Sequence, residues 1–202
     1  MSSVCESPVS AIGCWAMGAV AAACLVLCLS FGDRVAAEEA SEDPLSPVLS
    51  LIGQWEGEGS GMGGDSVVEH DYELVLRGNF LRLATLSVFE PQEGEASAER
   101  HEDIGLFSYD PDGQALKLRQ FLSEGYVNTY VLTRAERGGR LLVFETEDTE
   151  GAGGMQARLT YEFTGDDEYR LSLDLASPGE EFFGCRSLRM KRSAAVGGGS
   201  EE

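Results

Sequence analysis

From Gly53 onward the chain alternates apolar and polar residues with a period of two, which is the signature of half-buried β-strands. Met155, Ala157, Leu159, Tyr161 and Phe163 fall on one face of their segment, with Gln156, Arg158, Thr160 and Glu162 on the other. Tyr169, Leu171, Leu173 and Leu175 oppose Arg170, Ser172 and Asp174 in the next segment. Leu116, Leu118, Gln120 and Leu122 oppose Lys117 and Arg119, and His70, Tyr72, Leu74 and Leu76 oppose Glu69, Asp71 and Glu73. Turn signals separate the segments: Gly61 to Gly64, Gly78-Asn79, Gln92 to Ala98, Asp110-Pro111-Asp112-Gly113, Ser123 to Gly125, Arg137 to Gly139, Gly151 to Gly154, Gly165 to Asp167 and Ser177 to Gly179. In Asp-Pro-Asp-Gly, proline suits a type I turn and Gly113 is expected to supply the left-handed residue. Nine turns imply ten strands.

Each strand has one dry face, and no amphipathic helix is available to cover it. The sheet must therefore close on itself or pack on a second sheet. With every connection short, the expected fold is all-β: a single closed or nearly closed up-and-down antiparallel β-barrel of about ten strands over residues 51–192. Ser46-Pro47 followed by Val48 to Ile52 predicts a short helical lead before it, since proline suits a first helical position. Phe80 to Phe89 is apolar on both faces, as are Tyr126 to Leu132 and Leu141 to Phe144. Those walls are expected to be ordinarily exposed or to meet a second copy, making a homodimer one candidate assembly.

Ala11 to Phe31 is an uncharged apolar run followed by Val35-Ala36-Ala37 and then Glu38-Glu39. An apolar core, small residues and polar sequence are the pattern of a cleavable export signal. The run also has the length of a membrane span, and Glu6 stands where a basic residue is usual. Residues 1–37 are thus expected to be a signal peptide or a membrane anchor, 38–50 a linker, and 193–202 a disordered tail. The localisation expected is periplasmic or secreted.

The 202 residues carry 35 acidic and 15 basic side chains, a net charge of −20. Nucleic acid is excluded as a partner, because phosphate binding takes clustered Lys and Arg. Docking on anionic lipid is excluded for the same reason, so membrane contact is expected only through the N-terminal segment. Four of the five cysteines lie in the first 30 residues, which leaves Cys185 alone in the barrel and without an internal disulfide partner.

Gly53-Gln54-Trp55-Glu56-Gly57-Glu58-Gly59 resembles the opening strand of the calycin barrels, and more closely that of the nitrobindin-like branch. Trp55, Gly57 and Gly59 share a face, so the indole can plug one barrel end while the glycines allow close strand approach. Together with Gly53, Trp55 is a candidate for barrel closure. The resemblance implies an arginine of the last strand lying over Trp55, and Arg186 or Arg189 is placed for it. It also implies a ligand-binding cavity. Haem-binding nitrobindins use a histidine near the C-terminal strand, and Glu181 to Arg192 contains none. Haem is therefore not expected, and no other cofactor is implied.

The candidate cavity lining is His70, Tyr72, Gln120, Tyr130, Tyr161 and Tyr169, polar interruptions on otherwise apolar inner faces. A few polar groups in an apolar cavity are the usual design of a small-molecule site. His70 with His101 or Asp103 would make such a polar spot. The expected partner is a small apolar or amphipathic molecule. A structural or interaction protein with a filled core is the alternative, as is an enzyme using His70 or His101 as general base. No nucleophile elbow, zinc-protease helix or phosphate loop supports catalysis. Two histidines and Asp103 fall short of the convergent ligands a metal needs.

Overall fold

The computed structural model describes residues 43–91, 97–151 and 153–194. The expected signal or anchor, residues 38–42 of the expected linker and residues 195–202 of the expected tail lie outside the described residues. Ten strands follow a 3-10 helix, Ser46–Leu51: β1 (Gly53–Gly61), β2 (Ser66–Val75), β3 (Phe80–Phe89), β4 (Glu99–Asp110), β5 (Ala115–Phe121), β6 (Val127–Glu136), β7 (Leu141–Glu150), β8 (Gln156–Phe163), β9 (Glu168–Ala176) and β10 (Phe183–Arg192). Every strand pairs antiparallel with its sequence neighbours, and β1 pairs with β10 to close the barrel. The all-β up-and-down barrel expected from the period-two pattern is the fold observed.

Closure removes both sheet edges, and with them the unpaired backbone groups an open sheet would expose. It depends on β1. Gly57 lies opposite Met190 and Gly59 opposite Leu188. A Cβ on Gly57 would collide with the Arg189 carbonyl oxygen and stand 2.6 Å from Met190 Sδ, so the seam admits no side chain there. β10 carries one irregularity, between Gly184 and Arg186, which puts Cys185 in a bulge as a half-buried free thiol. Two shifts on β6, between Thr129 and Tyr130 and between Leu132 and Arg134, bend that wall further.

Strand parity sorts the two-faced apolar segments. Leu81 and Leu83 face the core, and Phe80, Ala84, Leu86 and Val88 face outward. Ala84, Ile104 and Phe121 form a cross-strand row on the outer wall, with Ile104 49% and Phe121 45% exposed. The Asp110 turn departs from expectation in one detail. Asp110 Oδ1 accepts the backbone N–H groups of both Asp112 and Gly113, at 3.1 Å each. With the turn tightened that way, the left-handed residue is Gln114 (φ 47°) rather than Gly113. Those amides, Gly113 foremost, also hold the Asp110 carboxyl below its ordinary pKa, with Lys117 adding to the effect.

The 3-10 helix seals the barrel end where β1 begins. Leu45, Val48 and Leu51 are buried there with Trp55. The indole Nε1 donates to the Leu51 carbonyl at 2.7 Å, which satisfies the one polar atom of the buried ring. Among the described residues, no helix is long and apolar enough to cross a membrane.

The seam sets a stability prediction. Gly57→Ala forces β10 away from β1 and is expected to cost about 1–3 kcal/mol or more, as overpacking does. Gly165→Ala, whose Cβ meets nothing within 4 Å, serves as the tolerated control. Urea unfolding of both variants measures the difference.

Candidate functional site

β10 places the arginines differently from the expectation. Inward and outward residues alternate along it, so Arg189 points outward beside Glu58 and Arg170. Arg186 points inward but at the end opposite Trp55, because antiparallel pairing sets Gly61 against Arg186 and Trp55 against Arg192. The arginine over the indole is Arg192, with its guanidinium carbon 4.2 Å from the ring centroid. The same guanidinium donates to the carbonyls of Ile52 (2.6 Å) and Ser50 (3.1 Å) and to Asp167 Oδ1 (2.8 Å). One side chain thus caps the 3-10 helix, covers Trp55 and ties down the β8–β9 turn. A cation–π contact of this kind contributes about 0.5–2 kcal/mol.

Above Trp55 the barrel is crossed by a closed circuit of aromatic rings from five strands. His70 meets Tyr72 (5.8 Å between centroids), Tyr72 meets Phe107 (6.4 Å), and Phe107 meets Phe144 (5.6 Å). Phe144 meets Tyr161 (6.1 Å), Tyr161 meets Tyr169 (5.8 Å), and Tyr169 returns to His70 (6.4 Å). Tyr169 also touches Trp55 edge-on, at 4.7 Å. These rings fill the section of the barrel next to the sealed end.

The polar atoms of His70, Tyr72 and Tyr169 bond to one another. Tyr169 Oη lies 2.6 Å from His70 Nδ1, and Tyr72 Oη lies 3.3 Å from Tyr169 Oη and 3.4 Å from the same nitrogen. Burial lowers the His70 pKa to about 3, so the imidazole is neutral. Burial first, then neighbouring phenols, raises Tyr72, Tyr161 and Tyr169 well above the ordinary tyrosine value. All four groups are therefore uncharged at neutral pH. With Tyr169 O–H donating to Nδ1, the imidazole proton sits on Nε2. The Tyr161 hydroxyl is fully buried and finds no hydrogen-bond partner, although Tyr72 is its neighbour.

His70 also lines a cavity of about 220 Å³. Its apolar walls are Leu83, Leu122, Ala157, Leu159, Leu171, Leu173, Leu175 and Leu188, and its polar groups include Gln120, Asn128, Tyr130, Asp103 and Arg186. Asn128 Nδ2 donates to Tyr130 Oη at 3.2 Å, while Asn128 Oδ1 is buried without a partner. Exchanging the two ends of the amide would still leave one of them unpaired. Burial raises the Tyr130 hydroxyl to about 12.

Of the six expected lining residues, His70, Gln120 and Tyr130 border the cavity. Tyr72, Tyr161 and Tyr169 do not: they are spent in the aromatic layer, each at most 1% exposed. Asn128 and Arg186 were not among the six. Asn128 shares the inner face with Tyr130, so alternation alone pointed to it. His101 stands at the rim, between Glu99 (2.9 Å from Nε2) and Glu124, with its ring edge-on to Phe89 at 5.1 Å. Desolvation opposes its protonation, but the two carboxylates outweigh that and raise its pKa. Asp103 accepts the Ser123 N–H at 3.0 Å, and burial raises its pKa. His70 and His101 are therefore not one cluster. Among the described residues, no three His, Cys, Asp or Glu side chains converge for a metal ion.

No protein-family model and no curated protein matches the chain. Among solved structures it is similar to Rv2717c from M. tuberculosis, at 18% identity and a TM-score of 0.55, over 75% of this chain and 98% of that one. It is also similar to the S-type phycobiliprotein lyase CPES from Guillardia theta, at 10% identity over 72% of this chain and 90% of that one, TM-score 0.46. EF1p2_mFAP2b bound to DFHBI matches at 7% identity over 75% of this chain and all of that one, TM-score 0.39. The likeness to Rv2717c is one of fold alone, that of the closed ten-strand antiparallel barrel described above.

The two histidines are expected to titrate in opposite directions. In an NMR titration, the His70 ring signals should stay those of a neutral imidazole down to pH 4. The His101 signals should move above pH 6.5. The folded pKa of His70 is below its unfolded value, so its contribution to stability is complete above pH 6.5. That contribution is lost as pH falls from 6.5 toward about 3. Unfolding free energies should fall more steeply with acid in the wild type than in His70→Gln, by up to about 1.4 kcal/mol per pH unit.

Proposed function

We propose that this protein is an exported binding module whose barrel cavity holds a small apolar or amphipathic molecule. The observation that carries the reading is the interior space of about 220 Å³, bordered by seven leucines, Ala157 and polar side chains that supply the smaller part of its surface. Small-molecule sites have this make-up, mostly apolar with sparse polar groups that fix orientation. The volume lies below the roughly 300–1,000 Å³ of drug-sized sites, which favours a ligand smaller than a porphyrin or a long acyl chain. The unpaired end of the Asn128 amide supports an occupant too, since a buried polar group without a partner costs about 1–3 kcal/mol. The nitrobindin-like opening strand is in keeping with a container, while the absence of a histidine from β10 speaks against haem. Export rests on the apolar run Ala11 to Phe31 and the small residues after it.

The test is uptake of 1-aminoanthracene, a small apolar fluorophore. Saturable fluorescence enhancement is expected in the wild type, and at least a tenfold loss in Leu159→Trp, which fills the space. Absence of saturable uptake by the wild type would sink the reading. Mass spectrometry of a solvent extract of the purified protein looks for the natural occupant.

A second reading, an interaction protein acting through its outer wall, is favoured by the exposed row Ala84, Ile104 and Phe121. Under it, light scattering finds a dimer that Ile104→Asp converts to monomer. A monomeric wild type at all concentrations would exclude self-association.

A further inference from the structure

Arg186 places a guanidinium inside the barrel where, among the described residues, no carboxylate pairs with it. Arg82, Arg100, Arg134, Arg137, Arg140 and Arg158 each lie within 4.0 Å of a carboxylate. Acidic side chains outnumber basic ones by 35 to 15, so partners are plentiful. Among the described residues, Arg186 has none; Arg77, Arg119, Arg170 and Arg189 also lack one, but those four are exposed to water whereas Arg186 points into the barrel. Its Nη2 donates to the Ser66 hydroxyl, and the guanidinium carbon lies 4.4 Å from the centroid of the Phe89 ring. Both neighbours are uncharged. Room for the group is made on β1, where a Cβ on Gly59 would stand 2.8 Å from Nη2. Burial lowers the Arg186 pKa, so its surroundings disfavour the charge without compensating it. A guanidinium carries five N–H donors, and a single hydroxyl leaves most of them without a fixed acceptor.

The cavity's other polar groups do not remedy this. Asp103 is the one carboxylate on the wall; it bonds the backbone N–H and hydroxyl of Ser123 and lies farther than 4.0 Å from the Arg186 guanidinium nitrogens. At the aromatic floor, His70 is neutral and its Nδ1 is taken by the phenols. Ser66 lies four residues from His70 along β2, about 13 Å at strand rise. The cavity therefore has a cation without a described counter-charge near one end, walls of leucine with Asp103 on one side, and a floor on which His70 and the phenols are uncharged.

We propose that Arg186 is the acid-recognising group of this cavity, and that the ligand is a small organic acid. Its carboxylate is held by the guanidinium at the Ser66 end of the cavity, and its apolar body lies along Leu159, Leu171, Leu173 and Leu188. The inference rests on the cavity-binding reading above and narrows it to a charge class. A planar guanidinium matches a carboxylate with two parallel N–H···O bonds, which sets a directional anchor that a lysine would not reproduce. The reverse orientation is disfavoured, because a carboxylate at the floor would be buried without a cation.

The experiment compares 4-phenylbutyrate with 4-phenylbutan-1-ol, which share an apolar body, by calorimetric titration of the purified chain at pH 7.5. The acid is expected to bind at least about tenfold tighter than the alcohol, the scale of a charge-assisted hydrogen bond. That preference should shrink as salt is raised. Arg186→Gln should lose about tenfold or more for the acid and stay within about twofold for the alcohol. Arg186→Lys should fall between. Equal binding of acid and alcohol by the wild type overturns the assignment of Arg186 while leaving the cavity reading intact. Binding of neither, together with no uptake of 1-aminoanthracene, overturns the cavity reading and this one with it. Should Arg186→Gln fail to fold, the acid-to-alcohol ratio of the wild type and its salt dependence decide the matter.

Discussion

The pairing of β1 with β10 is the constraint on which the rest of the molecule depends. Nine hairpins of a meander can form locally, but only this contact joins the two ends of the sheet. It brings together residues more than a hundred positions apart, so its loop-closure cost is met by the whole barrel at once. Gly57 and Gly59 make the approach possible by having no side chain in the seam. Arg192 then fastens the closed end, since its one guanidinium reaches Trp55, the 3-10 helix and the β8–β9 turn. The aromatic layer has a barrel section to fill because the seam holds, and the cavity beyond it exists for the same reason.

Charge is partitioned sharply across the barrel wall. Outside, an excess of carboxylates keeps the surface strongly negative and favours solubility by self-repulsion. Inside, next to the sealed end, every titratable group is held neutral: His70 by burial, and Tyr72, Tyr161 and Tyr169 by burial and by one another. Such a network is compatible with a dry interior because its members satisfy each other, the Tyr161 hydroxyl excepted. Arg186 breaks this partition at the opposite end of β10, which is why it carries the proposal about ligand charge.

The strands were legible because a period of two survives in nearly every segment, and because the turns are rich in Gly, Asp and Pro. The two-faced segment Phe80 to Phe89 was not sorted by pattern alone, since both faces are apolar; the pairing of Leu81 and Leu83 with the core decided it. The candidate site was legible in part. Inner-face position picked out His70, Gln120 and Tyr130, and the same rule applied to Asn128 would have found it. It could not say which inner-face tyrosines border open space. Tyr72, Tyr161 and Tyr169 are consumed in a ring circuit drawn from strands far apart in the chain, and height within the barrel is set by register and tilt rather than by alternation.

Arg192, Arg186 and Arg189 make the same point on a single strand. The sequence by itself determined that β10 is rich in arginine, that its residues alternate in and out, and that Trp55 opens the first strand. Which arginine meets the indole was decided only by the tertiary structure, because the answer depends on the register of β1 against β10. Local pattern specifies which face a side chain occupies. The long-range pairing specifies what it finds there, and in this barrel it separated a structural latch at Arg192 from a charge in the cavity at Arg186 that has no carboxylate partner among the described residues.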